Sequence, residues 1–213
     1  MADDAELLAR WRDGDSAAGN QLCQRCFAPI FRFFINKTRS VADTEELTQN
    51  TFLALLSARD NFRGKSSFVT YALGVANNLL KHYYRGLSRL PEPLDPLTSS
   101  ITALGAGAQT QLECAEAQHL LLVALREIPA EFQIVLELYY VESLDTDAIG
   151  ETLGINPHTV RSRIQRGRDH LRDKVGELAA HTPSTPLLED SWAELIKSAF
   201  PARLLSTAFV RDE

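Results

Sequence analysis

Cysteine is scarce in this 213-residue chain: Cys23, Cys26 and Cys114 make an odd three, which excludes a disulfide framework. No apolar run approaches the roughly 20 residues that a membrane-spanning helix requires. The opening residues, MADDAELLARW, are acidic where a secretory signal would be basic and then apolar, so a cytoplasmic protein is expected. There is no phosphate-cradling glycine loop and no HExxH or GxSxG arrangement. The five histidines, at positions 82, 119, 158, 170 and 181, show no metal-ligand spacing. The acids Asp43, Glu45 and Glu46 stand at a helix start, where capping explains them better than catalysis. Neither a catalytic residue nor a metal or cofactor is expected.

Cys23 and Cys26 do form a C-x-x-C, the spacing of a redox pair or of half a zinc site. No second Cys/His pair follows at zinc spacing, and no strand-like run precedes it as in a thioredoxin-type motif. Both cysteines fall on an apolar helical stripe with Leu22, Phe27 and Ile30, which favours core packing.

What the chain has in quantity is helical periodicity. With 45% hydrophobic residues it can build real cores, and nearly every periodic segment has helix spacing. A short helix around residues 5–12 ends at DGDS, with Asp15 or Ser16 to cap the next. That helix runs to about Thr38, with a kink or break expected at Pro29. Asp43 or Thr44 is the expected cap of a third helix. There Leu47, Thr51, Leu55 and Ala58 share a face, joined by Phe52 and Leu56. Ser66 or Ser67 can cap a fourth, FVTYALGVANNLLKHYYRG. Residues 88–110 are dense in Pro, Ser, Gly and Thr and read as a linker. Helical pattern resumes near Gln111, with Pro129 starting a new helix. Past Lys174, a Thr/Pro/Ser hinge precedes an amphipathic helix at about 191–200. The expected fold is all-α: two small helical domains, a linker and a short helical tail.

One segment stands out against a net charge of −6. NPHTVRSRIQRGRDHLR, residues 156–172, holds five arginines. Just upstream, Asp145 can cap a short helix that buries Ala148, Ile149 and Leu153. Gly154 suits a turn with positive φ, Ile155 plugs the corner, and Asn156 caps a helix whose first residue is Pro157. Helix, glycine turn and capped helix make a helix-turn-helix. At ~100° per residue, Val160, Ile164, Gly167 and Leu171 face the core. His158, Arg161, Ser162, Gln165, Arg168 and Arg172 cover the opposite side, flanked by Arg163 and Arg166. In a major groove Arg bonds guanine, Gln pairs with adenine and Ser is permissive, while arginines at the edges hold phosphates. A merely solvated charged face is the bland reading; the agreement of cap, turn and core sector argues against it.

The stretch LREIPAEFQIVLELYYVESLDTDAIGETLGINPHTVRSRIQRGRDHLR resembles region 4 of bacterial sigma-70 family factors. DTEELTQNTFLALLSARDNFRGKSSFVTYALGVANNLLKHYYRG resembles region 2 of the extracytoplasmic-function (ECF) group. The resemblance implies region 2 in residues 1–88, a linker in 89–112, region 4 in 113–176 and an extension in 177–213. It also implies a protein that binds core RNA polymerase, through the β′ clamp helices and β flap, and directs it to promoter DNA. An anti-sigma factor is a further implied partner.

Carried over residue by residue, polymerase binding falls to Glu46, Gln49, Asn50 and Leu53. Contacts to the −10 element fall to Arg63, Lys65, Tyr71, Asn77, Asn78, Lys81 and Arg85. Tyr71 could stack on an unpaired base or sit in the core, and core packing is the stronger reading. Contacts to the −35 element fall to His158, Thr159, Arg161, Ser162, Gln165, Arg166 and Arg168. The family often has an acid at position 50, a Trp at 71, an Arg at 77 and a basic residue at Gly74, so this chain departs there. The other function compatible with these residues is a helix-turn-helix regulator that works without being a polymerase subunit.

Overall fold

A computed structural model describes residues 3–62, 64, 66–87 and 120–179. The expected linker, the C-terminal helix at 191–200 and Cys114 lie outside these residues. Among the described residues all regular structure is helical, and the helices fall into two compact units.

The first unit holds α1 (Asp4–Arg12), α2 (Ser16–Ile35), α3 (Val41–Ser57) and α4 (Phe68–Leu87), with a 3-10 turn at Arg59–Asn61. α2 is the centre and packs against the other three helices, and α3 packs on α4. Leu7, Leu22, Cys26, Ile30, Phe34 and Leu55 are fully buried between them. Trp11 completes this core by lying on Gly19. A Cβ there would come within 2.4 Å of the indole, so only glycine admits the ring.

The caps show how local chemistry sets the boundaries. Asp15 caps α2 as expected, its Oδ1 accepting from the amides of Ala17 and Ala18. The Arg10 guanidinium, 2.7 Å from Asp15, and those amide bonds hold this carboxyl below its ordinary range. α2 does not break at Pro29; it runs through it to Ile35. Pro29 forfeits one helical bond, but it is buried with Cys26, Ile30 and Phe33 around it, and that packing carries the helix on. α3 starts earlier than expected. Ser40 is its cap, with Oγ accepting from Asp43 N at 3.1 Å, so neither Asp43 nor Thr44 takes that role. Asp43 instead accepts from the Tyr83 hydroxyl at 3.0 Å, and burial together with this carboxylate pushes the phenol's pKa up. Thr44 is buried and shares a 2.6 Å hydroxyl pair with Thr38. Of the two serines offered for α4, Ser67 receives the amide of Thr70 at 3.1 Å.

The second unit holds α5 (residues 120–127), α6 (Ala130–Tyr140), α7 (Thr146–Leu153) and α8 (Pro157–Ala179). α6 is buried on most sides, as befits a core helix, and packs along α8. The two approach closely at Gly167, where a Cβ would stand 3.2 Å from Leu136 and Phe132. Glu137 is buried inside this unit, and its Oε1 accepts from Gln133 Nε2 at 3.1 Å.

Candidate nucleic-acid interface

The helix-turn-helix is built by short-range chemistry. Asp145 Oδ1 accepts from the amides of Asp147 and Ala148 at 3.0 and 2.8 Å, starting α7. Gly154 has φ +67°, the left-handed conformation that its place in the turn required. The chain then folds back so that Ile155 N donates to Gly150 O. A Cβ on Gly150 would lie 2.8 Å from Ile155 O, so a second glycine, which periodicity alone does not single out, is needed for the close approach. Asn156 Oδ1 accepts from His158 N at 2.8 Å and starts α8 at Pro157.

Val160, Ile164, Gly167 and Leu171 are the buried side of α8, continued by Val175. His158, Thr159, Arg161, Ser162, Gln165 and Arg166 are exposed on the other side. Where α6 and α8 both begin, a cleft lined by His158, Thr159, Ser162 and Arg166 opens beside Glu131 and Phe132.

The arginines are not equivalent. Arg168, expected among the readers, donates from Nε to the Tyr140 hydroxyl at 2.6 Å. Its guanidinium also lies over the rings of Tyr140 and Tyr139. It fastens α8 to α6, which its place in the helical projection could not reveal. Arg163 is paired with Glu131 at 2.7 Å. Arg172 is paired with Asp169 at 2.9 Å, and the same carboxylate lies 3.4 Å from Gln165 Nε2. Arg161 and Arg166 have no such partner among the described residues.

In the first unit, Asn78, Lys81 and Arg85 are exposed at helical spacing along α4. Arg85 Nε bonds back to the Lys81 carbonyl at 3.2 Å. Arg63 and Lys65 fall outside the described residues. Tyr71 is half-buried and packs on Phe62 and Phe68, with ring centroids 5.0 and 6.2 Å away. Asn77 is misplaced by the carry-over: it is 2% exposed, on the same side of α4 as Leu73, Ala76 and Leu80. In this fold it belongs to the core, where its Nδ2 finds no hydrogen-bond partner, and DNA cannot reach it.

On α3, Thr44, Leu47, Thr48, Thr51 and Leu55 face inward. Glu46, Gln49 and Leu53 are exposed and Asn50 half-exposed on the outer side. Leu56, expected in the core, is 48% exposed, because it follows Leu53 by three residues and shares its side; Leu53 is 59% exposed and Val41 57%. Three of the four exposed large hydrophobics among the described residues thus lie on this one helix. An exposed aliphatic strip rimmed by polar residues is the usual mark of a protein partner. The strip Glu46–Gln49–Leu53–Leu56 was legible except for Leu56, whose signal was the three-residue step from Leu53.

The C-x-x-C is a packing feature. Cys26 is fully buried and Cys23 half-buried, both as free thiols. Burial, with a small push from Cys23, raises the Cys26 thiol to about 12, and burial raises Cys23 as well, so neither is a ready thiolate. Among the described residues no group of His, Cys, Asp and Glu is arranged to hold a metal. No described helix is long and apolar enough to cross a membrane.

Comparison with known proteins places both units. The Sigma-70 region 2 family model matches residues 22–90 and the Sigma-70 region 4 model matches residues 118–171. The ECF RNA polymerase sigma factor SigE of Mycolicibacterium smegmatis is 30% identical over 186 residues, covering 79% of this chain and 67% of the relative. The ECF RNA polymerase sigma-E factor of Haemophilus influenzae is 25% identical over 183 residues, covering 82% and 96%. RNA polymerase sigma factor CarQ of Myxococcus xanthus is 28% identical over 172 residues, covering 80% and 97%. A similar fold occurs in the sigma factor RpoE of Bartonella quintana, solved in complex with the anti-sigma factor NepR. Its TM-score is 0.60 at 16% identity, over 74% of this chain and 96% of that one. With two family regions in the right order and relatives matched along most of its length, the chain belongs to the ECF group of the sigma-70 family, whose members bind core RNA polymerase and direct transcription initiation from promoters.

Proposed function

We propose how this sigma factor divides promoter recognition among its residues. α8 enters the major groove of the −35 element. His158, Thr159, Arg161, Ser162, Gln165 and Arg166 face the bases and flanking phosphates there. Asn78, Lys81 and Arg85, with Arg63 and Lys65, follow the backbone of −10 DNA. Glu46, Gln49, Asn50, Leu53 and Leu56 dock on the β′ clamp helices of the polymerase, and region 4 meets the β flap. The observation that carries this division is the pairing of two different surfaces. One is a capped helix with unengaged arginines; the other is a helix with an exposed aliphatic strip.

The boundaries we assign are region 2 in 1–88, a linker in 89–112, region 4 in 113–176 and an extension in 177–213. A lone helix-turn-helix binds modestly and with strong salt dependence. A second contact on a tethered unit raises the effective concentration. The chain works in the cytoplasm and performs no catalysis of its own, since RNA synthesis is the polymerase's chemistry. The Bartonella neighbour was solved with an anti-sigma factor, and a protein of that kind is the regulator we propose here.

The test is reconstitution with purified core polymerase. The chain should co-elute with core enzyme in gel filtration and drive start-site-specific transcription from genomic fragments. A chain that ignores core enzyme and binds promoter DNA alone as a dimer would falsify this scheme in favour of a stand-alone regulator.

A further inference from the structure

The connection from the end of α3 to the start of α4 is gripped at both ends by one helix, α1. At the first end Arg12 reaches across from the last turn of α1. Its Nη2 donates to the carbonyl oxygens of Arg59, Asp60 and Phe62 at 2.9, 3.3 and 2.6 Å. Its Nε donates to Arg59 O at 3.3 Å. A planar guanidinium can gather several acceptors in one plane; an ammonium holds them only singly. The Asp60 carboxylate, 3.9 Å from Nε and exposed, adds little.

At the other end Asp4, in the first turn of α1, accepts from the amide of Phe68, the first residue of α4, at 3.3 Å. Arg25 fixes that carboxylate from α2 at 2.6 Å. Asp4 and Arg12 are eight residues apart, about two helical turns, so they emerge from one side of α1. The charges also suit their places: a cation meets carbonyls where helical backbone stops and an anion meets an amide where it starts. Between them Trp11 sets its ring edge-on to Phe68, 6.2 Å away, and Phe68 packs on Phe62 and Tyr71.

We propose that α1 is a clip that sets the shape of the α3–α4 connection for contact with −10 DNA, with Arg12 as its positioning residue. The proposal rests on the assignment of this connection to the −10 element. Holding the backbone of a binding loop in place before DNA arrives removes ordering cost from the step in which bases are drawn out of the duplex. Arg12 is exposed and bonds backbone rather than core side chains, so its removal leaves the folded unit intact.

The experiment uses the full-length chain with core polymerase on a promoter fragment chosen by mapping wild-type start sites. Core affinity, closed-complex affinity and the rate of strand opening, followed by 2-aminopurine fluorescence, are measured separately. Arg12→Ala should slow opening about tenfold, the scale of losing one charge-assisted hydrogen bond, with both affinities within about twofold of wild type. Arg12→Lys should fall between, and Asp60→Ala should match wild type. Wild-type opening by Arg12→Ala overturns the clip. So does a proportional loss of core affinity, which would mark a folding effect, or an Asp60→Ala defect equal to that of Arg12→Ala. Failure of the wild-type holoenzyme to start transcription anywhere overturns the promoter assignment itself, and the clip with it.

Discussion

Truncating Leu53 and Leu56 on α3 should weaken polymerase binding without weakening the fold. Fully burying a leucine is worth about 1.5–3 kcal/mol. Leu53 and Leu56 keep 59% and 48% of their surface exposed, so each has roughly 1 kcal/mol still to gain against a partner. Leu53→Ala should therefore raise the dissociation constant for core enzyme about fivefold, and the double variant about thirtyfold. Neither side chain is part of the buried side formed by Leu47, Thr51 and Leu55, and surface changes of this kind cost within about 0.5 kcal/mol of stability. Competition binding with labelled wild-type chain gives the affinity, and urea unfolding of the free chain gives the stability. Undiminished affinity in the double variant would refute the assignment of this strip. A loss of stability as large as the loss of affinity would refute the geometry, because the leucines would then be supporting the core.

Arg166→Ala should lower transcription that depends on the −35 element and leave core binding intact. If Arg166 meets a phosphate, the slope of log K against log salt should also become shallower by about 0.9. Ser143 holds φ +54°, a conformation that glycine adopts without steric cost, so Ser143→Gly should stabilise the chain by about 0.5–1 kcal/mol in urea unfolding. The buried Cys26 thiol should react with a thiol reagent only on unfolding, measured in a Cys114→Ser background. Because burial raises its folded pKa to about 12 from an ordinary value of 9.0, its contribution is complete below pH 9. It is lost as pH rises towards 12, by about 1.4 kcal/mol per pH unit. Unchanged stability between pH 9 and 11 in the wild type would contradict the burial.

The parts of the fold that were legible in the sequence are those fixed within a few residues. Asp145, Gly154 and Asn156 act on amides and torsions next to them, and Val160, Ile164 and Leu171 follow from the pitch of one helix. What was not legible depends on other elements. Arg168 and Arg161 look alike on a helical projection, and only the approach of Tyr140 on α6 separates them. Asn77 was carried to DNA by alignment, but α4 turns it inward with Leu73 and Leu80. Asp43 lost its expected capping role for two reasons at once. Ser40 was a better-placed cap, and Tyr83, forty residues away, claimed the carboxylate. Pro29 shows the same lesson from the other side, since a residue that breaks isolated helices is tolerated where packing holds both flanks.

The pairing of arginines within region 4 also bears on how the factor is distributed in a cell. Glu131, Tyr140 and Asp169 occupy Arg163, Arg168 and Arg172, so α8 meets arbitrary DNA with about two mobile cations instead of five. Three fewer phosphate contacts weaken sequence-independent binding by roughly a hundredfold at physiological salt. The chromosome is then a shallow sink for this factor. Copies that miss a promoter are released quickly, and the pool stays open to competition for polymerase.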